Sequence, residues 1–120
     1  MSISNFLEDK LLDATRGVSY AAAGSYLQLH TGDPGEAGTS NVASESTRKA
    51  VSFAAASGGS MASSGTVEWT NVAATETVSH WSLWDASTSG NCLWSGALAS
   101  SAGLVAGDTF QITLLTLTLD

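Results

Sequence analysis

The most strongly patterned segment of the chain reads Val78-Ser79-His80-Trp81-Ser82-Leu83-Trp84-Asp85. Trp81 and Leu83 are two residues apart, so in an extended strand they share one face, while Trp84 lies on the opposite face. Large side chains on both faces are typical of a central strand that is covered on both sides. We therefore expect a central β-strand here, with Trp81 in the core and Trp84 against the helix, a loop or a neighbouring subunit.

Apolar residues at every second position recur on both sides of this segment. This pattern predicts further strands at residues 26–30, 50–54, 66–70, 92–95, 110–114 and 115–119. The last two are separate because the phase slips by one residue at Leu114-Leu115, which predicts a β-bulge or a bend between sheets. The stretches without periodicity are predicted loops, at residues 31–47, 55–65 and 100–107. We predict a mainly β fold, an antiparallel β-sandwich of the jelly-roll-like or immunoglobulin-like type.

The N-terminal segment differs from the rest, because its apolar residues recur at helical spacing. They are Phe6, Leu7, Leu11, Leu12 and Ala14. Asn5 followed by Glu8 matches a capping box, and Gly17 suits the left-handed position just after a helix. One short amphipathic helix is therefore predicted over residues 5–16.

The length and composition are those of one small folded unit. Of the 120 residues, 43% are hydrophobic and only 12% are charged, which is not the composition of a disordered chain. We expect a single β-sandwich domain over residues 1–120, with the strands and loops in residues 26–120. The single cysteine, Cys92, excludes an internal disulfide bond.

The charge distribution excludes several classes of partner. Four basic residues against eleven acidic ones give a formal charge of −7, so no extended cationic face is available for nucleic acid.

No segment approaches the roughly 20 apolar residues of a membrane span. The N-terminus lacks the basic start and the apolar run of a signal peptide, so we expect the chain to be made and assembled in the cytoplasm.

The candidate reactive side chains fit structural roles better than catalytic ones. His30, Asp33 and Glu36 would suit a metal or acid/base cluster, but an aspartate that opens a turn usually accepts hydrogen bonds from that turn. The sequence contains no Gly-x-Ser-x-Gly elbow, no phosphate-binding loop and no zinc-ligand spacing. We therefore predict no enzyme, no catalytic residues, no cofactor and no metal.

The four tryptophans have two plausible roles. Burial of one indole, about 200 Å², contributes at most about 5 kcal/mol, so a chain without disulfides is expected to use them in its core. We place Trp69, Trp81 and Trp94 there. The alternative is a carbohydrate platform, because sugar faces stack on indole rings. Trp84 is the tryptophan that we expect to meet a partner or the helix.

Five segments follow one another in a characteristic order. They are residues 27–35 with 38–41, then 48–53, 77–86, 93–98 and 106–110. The first begins Leu27-Gln28-Leu29-His30-Thr31-Gly32-Asp33-Pro34-Gly35, and the third contains the Trp81 and Trp84 strand. In combination they closely resemble a family of small bacteriophage virion proteins. The resemblance implies an all-β virion component without catalytic residues, although residues 112–117 lack the Gly-containing break expected of it.

Two functions follow from the resemblance. We predict a non-enzymatic capsid decoration (cement) protein that binds the major capsid protein and sister copies as a homotrimer, because no sustained heptads provide a fibre shaft. The alternative is a tail-fibre or minor tail protein that contacts glycans on the host surface through the loop 31–47 and Trp84. A third function, hydrolysis of a surface polymer, needs paired carboxylates that nothing in the sequence suggests.

The predicted contacts with the shell or a sister subunit lie on the helix, in a small cationic group and on the central strand. They are Phe6, Leu7, Leu11, Arg16, Arg48, Lys49 and Trp84. The arginines are included because guanidinium groups form directional bonds with acidic groups on a partner. The alternative is that the cationic residues form an ordinary solvated edge.

Overall fold

The computed structural model describes residues 1–119. Its elements are β1 (Ser2–Ile3), α1 (Asn5–Thr15), β2 (Tyr26–His30), β3 (Lys49–Ala50), β4 (Ser60–Ala62), β5 (Val67–Trp69), β6 (Glu76–Trp84), β7 (Cys92–Leu104), β8 (Phe110–Ile112) and β9 (Thr116–Thr118). The strand pairs are antiparallel. The fold is therefore mainly β with one short N-terminal helix, as the sequence predicts.

Strand β6 lies at the centre of the largest sheet, which has the order β1-β7-β6-β2-β3. It pairs with β2 on one side and with β7 on the other. Trp81 and Leu83 are buried on one face of β6, and Trp84 is buried on the opposite face. This confirms the prediction of a central strand that is covered on both sides.

The other two sheets are two-stranded and consist of β4 with β9 and of β5 with β8. Trp69 of β5 and Leu117 of β9 belong to the same buried cluster as Leu29 of β2 and Trp81 of β6. A core shared between antiparallel sheets is the arrangement of a β-sandwich-like fold. Trp69, Trp81 and Trp94 all lie in this core, as predicted.

Two of the predicted loops contain strand residues. Strand β7 continues to Leu104, inside the predicted loop 100–107, and β4 lies inside the predicted loop 55–65. Conversely, the strand predicted at residues 50–54 is reduced to β3 and an isolated bridge at Phe53. These segments take their conformation from hydrogen bonds to a neighbouring strand, which a local pattern of side chains does not reveal.

The register between β6 and β7 changes at two places, between Leu83 and Trp84 and, by more residues, between Val78 and His80. Val78 pairs with Ala102 but His80 pairs with Ala97, so residues 98–101 of β7 lie opposite Ser79 alone. Such a bulge leaves extra residues unpaired and bends the strand. It explains why this part of β7 lacks the alternation that predicts a strand.

The predicted change of phase near the C-terminus is confirmed. Ile112, Leu115 and Leu117 are buried, whereas Leu114 between them is 64% exposed. Strand β8 pairs with β5 and β9 pairs with β4. The chain therefore passes from one small sheet to the other at Leu114-Leu115.

The N-cap of α1 differs from the prediction. The capping-box pattern assigns this role to Asn5, but Ser4 Oγ accepts a hydrogen bond from Leu7 N–H at 3.2 Å. Asn5 is the first helical residue, and its N–H donates to Glu36 Oε2 at 3.1 Å. Ser4 fits the cap because its backbone is extended, with φ −73° and ψ 152°, and its short side chain can accept from an N–H of the first turn.

The C-terminal end of α1 agrees closely with the prediction. The helix ends at Thr15, one residue before the predicted end, and Arg16 is the C-cap. Gly17 takes the expected left-handed conformation, with φ +90°. Among residues 1–119, no helix is both long and apolar enough to cross a membrane.

Candidate interaction surface

Helix α1 is held against the body of the chain by its inner face. Leu7 is buried in the core cluster. Phe6 is half-buried, and its ring meets that of Tyr20 edge-on at a centroid distance of 5.8 Å. Lys10 Nζ lies 5.5 Å from the Phe6 ring centroid and 5.4 Å from that of Tyr20. These contacts determine which side of α1 faces outward.

The outward side of α1 carries a row of three residues spaced four apart. Glu8 is exposed, Leu12 is 66% exposed, and the Arg16 side chain is 70% exposed. Residues i, i+4 and i+8 form one inclined row on a helix. Arg16 Nε donates to Asp13 Oδ1 at 2.9 Å, which restrains the arginine side chain. The row therefore presents a carboxylate, an apolar side chain and a guanidinium in that order.

Two grooves lie beside α1, and residues of the row, Glu8 and Leu12, line only the second. The first has a volume of ≈ 580 Å³, and its walls include Leu11, Phe53, Met61, Trp94 and Leu119. The second has a volume of ≈ 570 Å³, and its walls include Met1, Glu8, Leu12, Trp94 and Leu119. The first groove has mainly apolar walls, whereas Glu8, Asp9 and Thr118 make the walls of the second mixed. Both grooves are open, which suits contact with another protein better than catalysis in an enclosed site with convergent polar groups. We call the row Glu8-Leu12-Arg16 together with these two grooves the α1 face.

The seven predicted contact residues lie in two separate parts of the structure. Phe6, Leu7, Leu11 and Arg16 lie on or directly after α1, whereas Arg48, Lys49 and Trp84 lie at β3 and β6. Two of the seven need correction. Leu7 and Trp84 are buried within the chain, both only 5% exposed, so neither offers surface to a partner. The contact role of the other five stays a prediction.

The sequence pattern does not single out Leu12, the most exposed large apolar residue of α1. Leu11 and Leu12 are adjacent and hence about 100° apart around the helix, and Leu11, at 39% exposed, is nearer to the core than Leu12. This geometry, with the charges four residues to either side, is the signal that identifies Leu12 as a surface residue. Met1 and Leu119 join it only in three dimensions, because they come from the two ends of the chain.

Trp84 is covered by a cation and by the long loop. Arg48 Cζ lies 3.7 Å from a ring centroid of Trp84, and Arg48 Nη1 donates to the carbonyl oxygens of Ala86 and Ser89 at 2.9 and 2.7 Å. Gly38 of the loop packs so closely that a methyl group there would lie 2.9 Å from the indole ring. Trp84 therefore cannot act as an open stacking platform for a sugar.

His30 and Ser82 form a pair that resembles a base and a nucleophile. His30 Nε2 lies 2.7 Å from Ser82 Oγ, and His30 Nδ1 lies 2.8 Å from the carbonyl oxygen of Ser40. The Ser40 carbonyl can only accept, so Nδ1–H of the neutral ring donates to it and Nε2 accepts from the Ser82 hydroxyl, whose oxygen in turn accepts from Trp84 Nε1–H at 2.7 Å. Burial lowers the pKa of His30, which favours this neutral ring.

The burial of this pair argues against a catalytic role. His30 and Ser82 are both fully buried, so no substrate reaches the hydroxyl. The ring nitrogen remote from Ser82 bonds a backbone carbonyl, whereas a catalytic histidine is oriented by a carboxylate. We therefore interpret the pair as a structural link between the core and the long loop.

Asp33 has the turn-stabilising role that sequence analysis favours. Its Oδ1 accepts a hydrogen bond from Gly35 N–H at 2.9 Å. Glu36, the third member of the candidate cluster, instead bonds to the first residue of α1. Within residues 1–119, no group of three or more His, Cys, Asp or Glu side chains is arranged to hold a metal ion.

Residues 2–120 match the family model described as Podophage GP4 fiber I protein gp80. The chain belongs to this family. The matched residues include α1 and the strands β1 to β9, so the α1 face lies within the gp80-family region. No curated protein matches the chain.

Membership of the gp80 family confirms the resemblance to small bacteriophage virion proteins. The chain is a phage structural protein that is associated with the virion. The description of the gp80 family names a fibre protein, which favours the tail-fibre alternative over the capsid decoration protein.

Proposed function

We propose that the chain is a non-enzymatic structural subunit of a phage fibre. The match of residues 2–120 to a family described as a fibre protein carries this proposal. Because the match extends along the chain and is not confined to one motif, the proposal concerns the whole folded unit. Capsid decoration, with binding to the major capsid protein, is the competing function that the experiment below must exclude.

The placement of two acidic side chains, Glu76 and Glu45, supports a non-enzymatic role. The Glu76 carboxylate accepts hydrogen bonds from the N–H groups of Ser44 and Glu45 at 2.9 and 3.0 Å. Glu45 in turn accepts a bond from Ala73 N–H at 3.2 Å. Carboxylates engaged in this way hold loops to the sheet. They are unlike the pair of carboxylates on either side of a cleft that polymer hydrolysis requires.

The shape and surface composition also support the proposal. The molecule measures 48 × 25 × 22 Å, so its long axis is about twice the other two. Only 12% of the residues are charged, which lowers the cost of desolvation where copies meet. We propose sister copies and other proteins of the particle as partners, bound in part through the α1 face.

Cryo-electron microscopy of intact virions, with gold-labelled antibody against the chain, tests the location. We expect label and fitted density on the fibres, at a copy number set by the number of fibres. Virions that lack the chain should keep full heads and lose fibre density and adsorption to the host. Density spread over the capsid in hundreds of copies would overturn the fibre proposal in favour of decoration.

A further inference from the structure

The row Glu8-Leu12-Arg16 is self-complementary. Glu8 precedes Leu12 by four residues and Arg16 follows it by four, so opposite charges lie symmetrically about an exposed leucine. A twofold rotation about an axis at Leu12 exchanges the two ends of the row. The rotation places each Glu8 carboxylate opposite the Arg16 guanidinium of the other copy.

We infer that α1 binds α1 of a second copy of this chain, antiparallel and about a twofold axis at Leu12. The two leucines pack together at the centre, and a Glu8–Arg16 pair closes the contact on each side. Rows of residues spaced by four run parallel to each other when two helices cross at about −50°, so the row of one copy lies along the row of the other. Antiparallel helices also bring opposite ends of their dipoles together.

Charge complementarity favours a second copy over other occupants. An acidic partner would be repelled by Glu8 and by the neighbouring Asp9. A basic partner would meet Arg16, whose Nε already bonds Asp13 and whose Nη groups are left to bind an acid. The best occupant carries the same charges in reverse order around an apolar residue, and antiparallel α1 does so. The row itself contains one acid and one arginine, but Asp9 and Asp13 beside it make this side of α1 acidic. Asp13 accepts from Arg16 Nε only, so the Nη groups of Arg16 remain for Glu8 of the other copy.

The apolar surroundings of Leu12 extend the contact beyond the helix itself. Met1 and Leu119 are exposed and line the groove that contains Leu12. Pairing of two α1 faces therefore covers apolar surface from both ends of each chain. The helix has 11 residues and is about 16 Å long, so the interface is small and weak in dilute solution. Where copies are held side by side in a particle, the higher effective concentration strengthens it.

Sedimentation equilibrium of the purified chain tests the pairing. We expect the mass to rise with concentration from 12.2 kDa towards twice that value. Leu12→Asp should lower the association constant by at least about tenfold, because it removes the central apolar contact and opposes two carboxylates. Leu114→Asp is the matched control, since Leu114 is equally exposed but lies outside the α1 face, and it should leave association unchanged.

A charge exchange makes the test specific. Glu8→Arg and Arg16→Glu should each weaken association, and the double variant E8R/R16E should restore it, because each altered charge again faces its opposite. Circular dichroism confirms that each variant keeps its fold. A chain that stays monomeric at millimolar concentration, an association that Leu12→Asp leaves intact, or a double variant without recovery would overturn the inference. Such a result leaves the fibre proposal standing, since that rests on location in the virion.

Discussion

Arg48 and Trp84 form a stacked pair, with the guanidinium carbon 3.7 Å from a centroid of the indole ring. The same guanidinium bonds to two carbonyl oxygens of the turn between β6 and β7. Both residues look from the sequence like contacts for a partner. In the folded chain the two side chains stack on each other. The pair holds the turn between β6 and β7 over the outer face of the central strand.

We expect Arg48→Ala to lower the free energy of unfolding by about 2–3 kcal/mol, because it removes the stacking on Trp84 and two charge-assisted hydrogen bonds. Arg48→Lys keeps the charge but loses the planar group, so it should recover about half of that loss at most. Urea unfolding measures both changes. Lys49→Ala, which removes the neighbouring cation, is the control, and an equal loss there would show that charge alone matters.

Ser82→Ala should lower the free energy of unfolding by more than the loss of one small hydroxyl group usually does. The substitution leaves Trp84 Nε1–H and His30 Nε2 without the hydroxyl that joins them, and both groups are buried. We expect a loss of about 2–4 kcal/mol, measured by chemical denaturation. Ser79→Ala removes a comparable hydroxyl, which bonds His80 Nδ1 at 2.8 Å in a half-buried position, and should cost less than about 1 kcal/mol. Equal losses would contradict the structural role of the buried link.

The stability of the chain should depend on the protonation of His30. Burial lowers the pKa of His30, and the nearby charges of His80 and Arg48 lower it further, although bonds to the carbonyls of Ser40 and Asn41 oppose the shift. The unfolded chain, with a histidine pKa of about 6.5, therefore binds the proton first as the pH falls. The contribution to stability is complete above about pH 6.5 and is lost as the pH falls through the lower pKa of the folded state.

Unfolding in urea between pH 7.5 and 5.5 measures this dependence. We expect the free energy of unfolding to fall below pH 6.5 by at most about 1.4 kcal/mol per pH unit from this one group. His30→Gln should reduce the slope in that range. His80→Gln is the control and should retain most of it, because burial is the largest cause of the His30 shift. A slope that is the same in His30→Gln would assign the dependence to other groups.

Gly38→Ala should disturb the packing of the long loop on the central sheet. Gly38 has φ +71°, and an added Cβ would lie 2.6 Å from Cys92 Sγ and 2.9 Å from Trp84 Cζ2. Backbone strain and overlap together should cost about 2–4 kcal/mol. Gly58→Ala is the matched control, because Gly58 has φ +60° with nothing within 4 Å of the added Cβ, so only strain of about 1 kcal/mol remains. Similar losses at the two sites would show that the loop tolerates the extra volume.

The agreement between the predicted and the observed bounds differs from element to element. The strand predicted at residues 26–30 is β2 residue for residue, because alternation is a local consequence of one buried face. The end of α1 is within one residue of the prediction, since Gly17 is a local signal. Strand β7 beyond residue 95 escapes prediction, because its conformation depends on pairing with β6 across a bulge.

At the candidate surface, too, the local pattern predicts the element, whereas tertiary contacts decide which of its residues are exposed. The sequence pattern indicates that α1 is a contact element, but the predicted contacts include the buried Leu7 and not the exposed Leu12. Rotation of the helix about its axis decides which leucines remain outside, and the contacts of Phe6 with Tyr20 and Lys10 set that rotation. Leu119 reaches the same surface only through the pairing of β9 with β4.

The sequence by itself determined the mainly β class, the central strand at β6, the short N-terminal helix and membership of a phage virion family. Each of these follows from the order of residues along the chain. Only the tertiary structure decided that Trp84 is enclosed by Arg48, that His30 bonds Ser82 across 52 residues of sequence, and that Leu12 stays exposed. These relationships join residues far apart in the chain or depend on how a helix is rotated, and a local pattern specifies neither.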